Sequence, residues 1–421
     1  MMIAEEDYDP NHDYTNDTIK RPGYKHTKLG WIPVGWEFDF IKNISKVVRG
    51  SSPRPAGDPK FFGGSHIPWL TVAALTNIPE SSIYVDKTFG YLTEAGAMQS
   101  RTLLEGTVIL ANSGATLGVA KILAIKCCAN DGIAAFLNLS NRLDRHYLTY
   151  FLNSKTKYYR EVVAPGNGQP NLNTDLIGIT KIPLPPLPEQ QKIAQILSTW
   201  DRAISKIEQL IAKKQESKRG LMQQLLTGKK RFKEFDSEWK SLKLRDLIVL
   251  TSGSTKPDSF KEVRSEAAKI PVFGGNGVSG YCNDHNFEIN TIVIGRVGEY
   301  CGVVHQISGL NWVTDNALVV KDFKRDCNVY FLSELLSFLN LSRLRNKGGQ
   351  PLVSQKPIYS LKITIPTVEE QLKIASVLSS ADQEITKLQT QLDKLKEQKK
   401  GLMQKLLTGE VRVTVDKMSE S

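Results

Sequence analysis

The residues of this chain that could do chemistry lie mostly in short glycine-flanked loops, and the loops come in pairs. Arg49-Gly-Ser51-Ser52-Pro-Arg54 and Gly253-Ser254-Thr255-Lys256 each put hydroxyls and cations on one turn. Asn112-Ser113-Gly-Ala-Thr116 and Arg296-Val-Gly-Glu299-Tyr300 put different polar side chains on a turn of shared form. Asn167-Gly-Gln169 and Lys347-Gly-Gly-Gln350 add amides beside glycines, and Asn276 stands between Gly275 and Gly277. Such side chains suit the edges of base pairs. Arg grips guanine O6 and N7, Asn or Gln grips adenine N6 and N7, and Glu accepts from cytosine N4. Ser, Thr and Lys suit phosphate oxygens, which fix position without reading sequence. Any one of these loops taken alone could equally be a solvated turn. Their recurrence is what points to DNA.

Motifs for other chemistries fail on their context. Gly275-Asn-Gly277-Val-Ser-Gly280 matches the glycine pattern that cradles phosphates, which requires a strand before it and a helix N-terminus after it. Tyr281-Cys282-Asn283-Asp284 follows instead, and that is turn chemistry. Asp258 and Glu262 resemble a fragment of a metal-dependent nuclease site, but no lysine follows at the usual position. The six histidines are scattered, with no helical i, i+4 pair to hold zinc. No nucleophile elbow or Walker-type loop occurs. The expectation is a chain with no catalytic residues and no metal site.

The elements that must position these loops are two near-copies of one long helix. The first begins Pro188-Glu189-Gln190 and ends Gly220-Leu-Met-Gln-Gln-Leu-Leu-Thr-Gly228; the second runs from Glu370-Gln371 to Gly401-Leu-Met-Gln-Lys-Leu-Leu-Thr-Gly409. At a constant offset of 181, 21 of the 40 positions from 189 to 228 are identical, so the chain is a tandem duplication. Apolar residues alternate spacings of four and three: Ile193, Leu197, Trp200, Ile204, Ile207 and Ile211 in one copy, Ile374, Leu378, Ala381, Ile385, Leu388, Leu392 and Leu395 in the other. That is the period of a coiled coil. The simplest way to bury both seams is to pair them, and the segment between them allows an antiparallel return. Both copies end in Thr-Gly, a stop in which glycine takes the left-handed conformation. Gly220 and Gly401, inside the helices, cost ~1 kcal/mol each relative to Ala and suggest close helix approach or a kink.

The net charge of +11 and a pI near 9.2 favour a polyanionic partner. No run of 18 apolar residues exists to span a membrane. Five cysteines without a Cys-x-x-Cys fit a reducing cytoplasm, with Cys127 and Cys128 read as strand residues. In chain order the sequence gives an acidic N-terminal arm over residues 1–30 and a strand-rich α+β segment over 31–186. A helix follows over 187–230, a second strand-rich segment over 231–366, a second helix over 367–411 and a tail over 412–421. The second globule repeats the parts of the first with weaker identity: Asn130-Asp-Gly matches Thr314-Asp-Asn, and Gly168-Gln-Pro matches Gly349-Gln-Pro. Nearly identical rods carrying divergent globules suggest a symmetric platform with two readers of different targets.

The strand exit Ile182-Pro-Leu-Pro-Pro-Leu-Pro-Glu-Gln-Gln-Lys-Ile-Ala194 and the helix end Lys218-Arg-Gly-Leu-Met-Gln-Gln-Leu-Leu-Thr-Gly228, each with its second copy, resemble the specificity subunits of type I restriction–modification systems. The resemblance covers nearly the whole chain; Ile365-Pro-Thr-Val-Glu-Glu370 departs from it by lacking the proline run. It implies that each globule is a target recognition domain reading half of a bipartite, asymmetric site on double-stranded DNA. It also implies that the paired helices set the spacer. Two methyltransferase subunits would dock on the helices and methylate adenine N6, and two restriction subunits would add translocation and cleavage. S-adenosylmethionine, ATP and Mg would then sit on those partners and not on this chain. A modification-only system is the near alternative. An enzyme with an unrecognised site, or a duplicated scaffold binding only proteins, are the distant ones.

Overall fold

The computed structural model describes residues 21–163, 171–346 and 348–415. It divides into two compact units. The first gathers the described residues up to Glu208 with those from Gln391 onward, and the second is Gln209–Thr390. Chain order suggested globule, helix, globule, helix; the compact units instead cut both long helices, Leu187–Leu225 and Val368–Thr408. The reason is visible inside each unit. In the first, Asp201 meets Lys399 at 2.5 Å and Glu208 meets Lys396 at 2.8 Å. In the second, Lys214 meets Glu384 and Lys218 meets Asp382, both at 2.7 Å. Partner numbers fall as helix numbers rise, so the helix segments run antiparallel within each unit.

Both units fold the same way. In the first, one sheet has the order Lys46–Arg49, Ile133–Leu137, Val108–Ala111, Ala120–Leu123, Tyr84–Val85. The second unit repeats it without the last strand, as Ile248–Ser252, Ala317–Phe323, Thr291–Gly295, Val304–Ile307. A four-stranded sheet is duplicated too. Gly90–Leu92, Phe62–Leu70, Cys127–Ala129, Arg101–Leu103 corresponds to Gly277–Cys282, Ile270–Gly274, Leu310–Val313, Phe287–Glu288. Val108–Ala111 and Thr291–Gly295 are buried throughout. Such short, unbroken apolar runs mark strands covered on both faces. Cys127 and Cys128 lie buried in a strand, as their neighbours suggested.

Each core joins the sheet to both long helices. Leu110, Ile122 and Phe136 pack with Leu148 and Phe151 of the helix Arg145–Ser154, with Ile193 and Leu197, and with Leu406 and Leu407. In the second unit Ile292, Ile294 and Val320 pack with Phe331 and Leu332 of Val329–Phe338, with Ile374 and Leu378, and with Leu225 and Leu226. Each unit thus takes the start of one rod and the end of the other.

Of the seam residues, Leu197, Ile204, Ile211, Leu378 and Leu392 are buried, while Trp200, Ile207, Ile385, Leu388 and Leu395 are half-buried. A polar joint pins each helix pair. Asp201 accepts from Tyr150 at 2.7 Å and from Lys399; Asp382 accepts from Tyr330 and from Lys218. Burial and the neighbouring aspartate push both tyrosine hydroxyls well above their ordinary pKa, so they stay protonated as donors. Gly228 and Gly409 take positive φ at the helix ends, as the Thr-Gly stops require.

Two expectations need correction. Residues 1–20 of the acidic arm lie outside the described residues, but the end of that stretch is structured. Tyr24–Thr27 pairs with Gly30–Pro33, and the Tyr24 hydroxyl donates to the Gly409 carbonyl at 2.8 Å. The Thr27 hydroxyl accepts from the Leu29 amide at 3.1 Å, and the His26 and Trp31 rings meet edge-on at 5.2 Å. A tight turn and a cross-strand aromatic pair thus order a segment that composition alone reads as loose. Gly220 and Gly401 do not mark close approach either. Nothing stands within 4 Å of where a Cβ would be at either glycine.

Candidate nucleic-acid interface

Three of the paired loops come together in each unit, laced by equivalent backbone bonds. In the first unit Gly50 N donates to Ile133 O, Asn112 N to Gly132 O, and Leu172 N to Asn112 O, at 2.8, 3.0 and 2.8 Å. In the second Gly253 N donates to Ala317 O, Arg296 N to Asn316 O, and Val353 N to Arg296 O, at 3.2, 2.8 and 2.8 Å. The glycines are required by the close approach. A Cβ on Gly50 would fall 2.1 Å from Asn130 O, and one on Gly253 would fall 2.3 Å from Thr314 O. The lacing explains why loops far apart in sequence share one surface.

In the first unit the predicted residues converge on Asp131, which the repeat marks only as part of the shared scaffold Asn130-Asp-Gly. Ser52 Oγ donates to its carboxylate at 2.6 Å, and Arg54 stands 3.5 Å from the other oxygen. Arg49 Nε and Asn112 Nδ2 donate to its carbonyl at 3.0 and 3.4 Å. The Ser52 hydrogen bond, with the charges of Arg54 and Arg49, holds the Asp131 carboxyl below its ordinary pKa. It is therefore ionised at neutral pH and pairs with Arg54, while the Asp131 carbonyl holds Arg49. Ser51 faces away, donating to Gln99 O at 3.1 Å, and Ser113 pairs with Asn171. The Thr116 hydroxyl has no hydrogen-bond partner, while its carbonyl accepts from Val119 N at 3.0 Å.

Two arginines went unnoticed in the sequence. Arg101 donates to Arg49 O at 2.8 Å, and Arg160 clamps the 112–118 loop through Leu117 O at 2.8 Å and Ala115 O at 3.0 Å. Neither lies in a repeated glycine loop, so no local signal marks them.

The second unit has other chemistry on the same scaffold. Arg296 donates to Ser252 Oγ at 3.2 Å and to Asp315 O at 3.4 Å, and Asp315 N donates to Ser254 O at 2.7 Å. Trp312 Nε1 donates to Thr255 O at 3.0 Å, and the Lys256 ammonium sits 3.4 Å from the centre of the Phe260 ring. That cation–π contact steers Lys256 along the loop surface. The glycine-rich stretch with Asn276 is a hairpin turn between Ile270–Gly274 and Gly277–Cys282, so the chain turns at Gly275-Asn276, and Tyr281 and Cys282, read as turn residues, end the second strand instead. A Cβ on Gly275 would lie 2.8 Å from Val297 O, so this hairpin tip rests on the loop that carries Arg296. Glu299 and Tyr300 are exposed on that loop, and Gln350 is exposed beside Pro351, whose carbonyl accepts from Gly298 N at 2.9 Å. Asn167, Gln169 and Lys347 lie outside the described residues.

The arrangement is a set of amide, hydroxyl and guanidinium groups on glycine-tight turns, with cations held by carboxylate or carbonyl partners. It suits hydrogen bonding to base edges and phosphates. Among the described residues no group of three or more His, Cys, Asp or Glu is placed to hold a metal ion, and no helix is long and apolar enough to cross a membrane.

With two such scaffolds on duplicated rods, comparison with known proteins is decisive about kinship. A family model described as the type I restriction modification DNA specificity domain matches residues 33–216 and 236–397. The chain belongs to this family. It is 27% identical over 425 residues to the MjaIX type I restriction enzyme specificity subunit of Methanocaldococcus jannaschii, covering 93% of this chain and 96% of that one. It is 24% identical over 372 residues to the EcoprrI specificity subunit of Escherichia coli, covering 84% and 88%. The crystal structure of a type I restriction–modification S subunit from M. genitalium superposes with a TM-score of 0.59 over 90% of this chain and 97% of that one. At 17% identity that likeness speaks for the fold.

Proposed function

We propose that this chain is the DNA-specificity subunit of a type I restriction–modification complex. Each unit reads one half of a bipartite, asymmetric site on double-stranded DNA, and the two long helices set the spacer between the halves. The carrying observation is the shared backbone lacing of the three loops with different side chains at equivalent positions: Asn112 against Arg296, Asn130 against Thr314, Thr116 against Tyr300. One scaffold with two surfaces is what two different half-sites require. The net charge of +11 supports a polyanionic partner.

In this reading the chain contributes recognition and no catalytic group. Two methyltransferase subunits dock on the helices, bring S-adenosylmethionine and methylate adenine N6. Two restriction subunits bring ATP- and Mg-dependent translocation and cleavage. The complex works in the cytoplasm. Within the loops, Arg49, Arg54, Lys256 and Arg101 serve phosphates, and Asn112, Arg296, Glu299 and Gln350 serve bases.

The test is co-expression of the full chain with its methyltransferase subunit, followed by mapping of N6-methyladenine across genomic DNA by long-read sequencing. The expected result is a split motif methylated on both strands, one half of which changes when residues 31–186 are exchanged for those of a relative. Methylation by this chain alone, or a stable complex that methylates nothing, overturns the proposal.

A further inference from the structure

The two equivalent turns share an energetic anomaly. Among the described residues, seven buried side-chain polar atoms lack a hydrogen-bond partner, and one of these, Glu334 Oε2, is ion-paired 2.9 Å from Lys218. Four of the others belong to the laced turns: Asn112 Oδ1, Thr116 Oγ1 and Asn130 Oδ1 in the first unit, and Thr314 Oγ1 in the second. Asn112 and Thr314 are 0% and 5% exposed. Native proteins satisfy most buried polar atoms, so a cluster left open at matching places asks for a ligand that completes it.

The cluster in the first unit is compact. Asn112 donates its backbone N–H to Gly132 O and its amide to Asp131 O. Around Gly132, a hypothetical Cβ would meet Ser113 Oγ at 2.8 Å and Asn130 Nδ2 at 3.5 Å. The side chains of Ser113 and Asn130 thus border Gly132, whose carbonyl holds the Asn112 backbone, and the unpartnered amide oxygens of Asn112 and Asn130 can only accept. The second unit has Arg296 in place of Asn112, and a guanidinium can only donate.

Resting on the reading of this chain as a DNA-specificity subunit, we propose that the 112–116 and 130–132 turns form the base-reading centre of the first unit. Its unpaired acceptors Asn112 Oδ1 and Asn130 Oδ1 share, as a bifurcated bond, the one exocyclic N–H of a base that Watson–Crick pairing leaves free in the major groove. Adenine N6 and cytosine N4 share that chemistry. Access requires residues 113–117 to shift outward, and two glycines at positive φ serve that segment, Gly114 within it and Gly118 directly after it. The equivalent turn of the second unit reads the opposite polarity through Arg296, which selects a base presenting acceptors.

The experiment uses the full chain co-purified with its methyltransferase subunits. The split site is first selected from randomised duplexes, and the half belonging to the first unit is identified by the exchange of residues 31–186. Amino-less analogues, purine for adenine and 2-pyrimidinone for cytosine, are then placed at each position of that half. At one position the wild type is expected to lose about tenfold in affinity, and Asn112→Ala and Asn130→Ala are expected to lose no more from the analogue than from the natural base. Which analogue acts names the base.

Thr116→Val, nearly isosteric, keeps the test informative if the Asn variants fold poorly. Removing an unpartnered buried hydroxyl should raise the melting temperature of the free protein while weakening its binding to the site. A half-site indifferent to every amino group, a penalty that persists unchanged in the Asn variants, or a Thr116→Val protein unchanged in both respects overturns the assignment. Failure of the wild type to select any split site overturns the specificity function itself, and so is distinguishable.

Discussion

In one unit Tyr150, Asp201 and Lys399 meet; in the other Tyr330, Asp382 and Lys218 meet. The lysine of each joint comes from the repeat that supplies the aspartate of the other. The helix starts are held alike: Arg412 forks onto Glu189 at 2.6 and 2.9 Å, and Arg231 forks onto Glu370 at 3.0 and 2.7 Å. Gln190 and Gln371 accept from the backbone N–H groups of Asp144 and Asn328, both at 2.9 Å. Around this shared framework the loops diverge. The comparison teaches that duplication preserved the groups that hold a globule to the rods and released those that face outward.

The largest test of that division is the joint itself. Asp201→Ala strands the Lys399 ammonium and the Tyr150 hydroxyl in a site where the aspartate side chain is only 7% exposed. We predict a loss of about 3–5 kcal/mol. Asp382→Ala should cost about 1–2 kcal/mol, because Asp382 is 38% exposed and Lys218 keeps Glu334 at 2.9 Å. Hydrogen exchange followed separately in the strands of each unit measures both. Equal losses would break the proposed difference between the joints.

A second contrast lies on one strand position. Lys121 pairs in register with Ile109, and its equivalent His305 pairs with Val293. Burial pulls the Lys121 ammonium down to about 8, only partly offset by Asp201 and Glu80, while its Nζ donates to Pro79 O and Ser82 O. The unfolded chain keeps this proton to about 10.5, so between those values it binds more protons than the folded one. Stability of the first unit should therefore rise by roughly 2 kcal/mol from pH 8 to 10, until the buried tyrosines reverse the slope. Lys121→Met should flatten it. Burial lowers the His305 pKa as well, so the second unit should be at full strength above pH 6.5 and weaken as pH falls below it. His305→Leu should remove that loss. Exchange profiles that shift together in both units would refute the contrast.

The smallest expected effect separates two tryptophans. Trp36 Nε1 donates to the buried Glu189 carboxylate at 2.9 Å, whereas Trp239 Nε1 has no hydrogen-bond partner. Trp36→Phe loses a hydrogen bond to a charged group and Trp239→Phe loses none. The first should therefore cost about 1 kcal/mol more than the second in urea unfolding. Equality would mean that the Trp36 bond contributes nothing measurable.

Much of the architecture was legible because it repeats. A constant offset of 181, apolar spacings of four and three, and glycine stops after Thr227 and Thr408 announce two rods by local chemistry alone. The loops were legible as turns for the same reason, since glycine-flanked polar stretches such as Arg49–Arg54 and Gly253–Lys256 recur at matching places. Legibility failed where a residue's role depends on a distant partner. Asp131 reads as an ordinary turn residue until Arg49, Ser52, Arg54 and Asn112 fold around it. Arg101 and Arg160 read as surface charge until each finds a carbonyl dozens of residues away.

The sequence by itself determined the duplication, the helix termini, the antiparallel expectation and the pairing of loops, because periodicity, glycine stereochemistry and charge are properties of the chain. Only the tertiary structure decided that a compact unit joins the start of one helix to the end of the other. It alone showed that Lys218 serves Asp382 while Lys399 serves Asp201. It also decided which polar atoms of the reading loops are left without partners. Burial and hydrogen-bond satisfaction are set jointly by segments up to about 200 residues apart, as with Asp201 and Lys399, separated by 198. No local window of sequence contains both sides of such a bond.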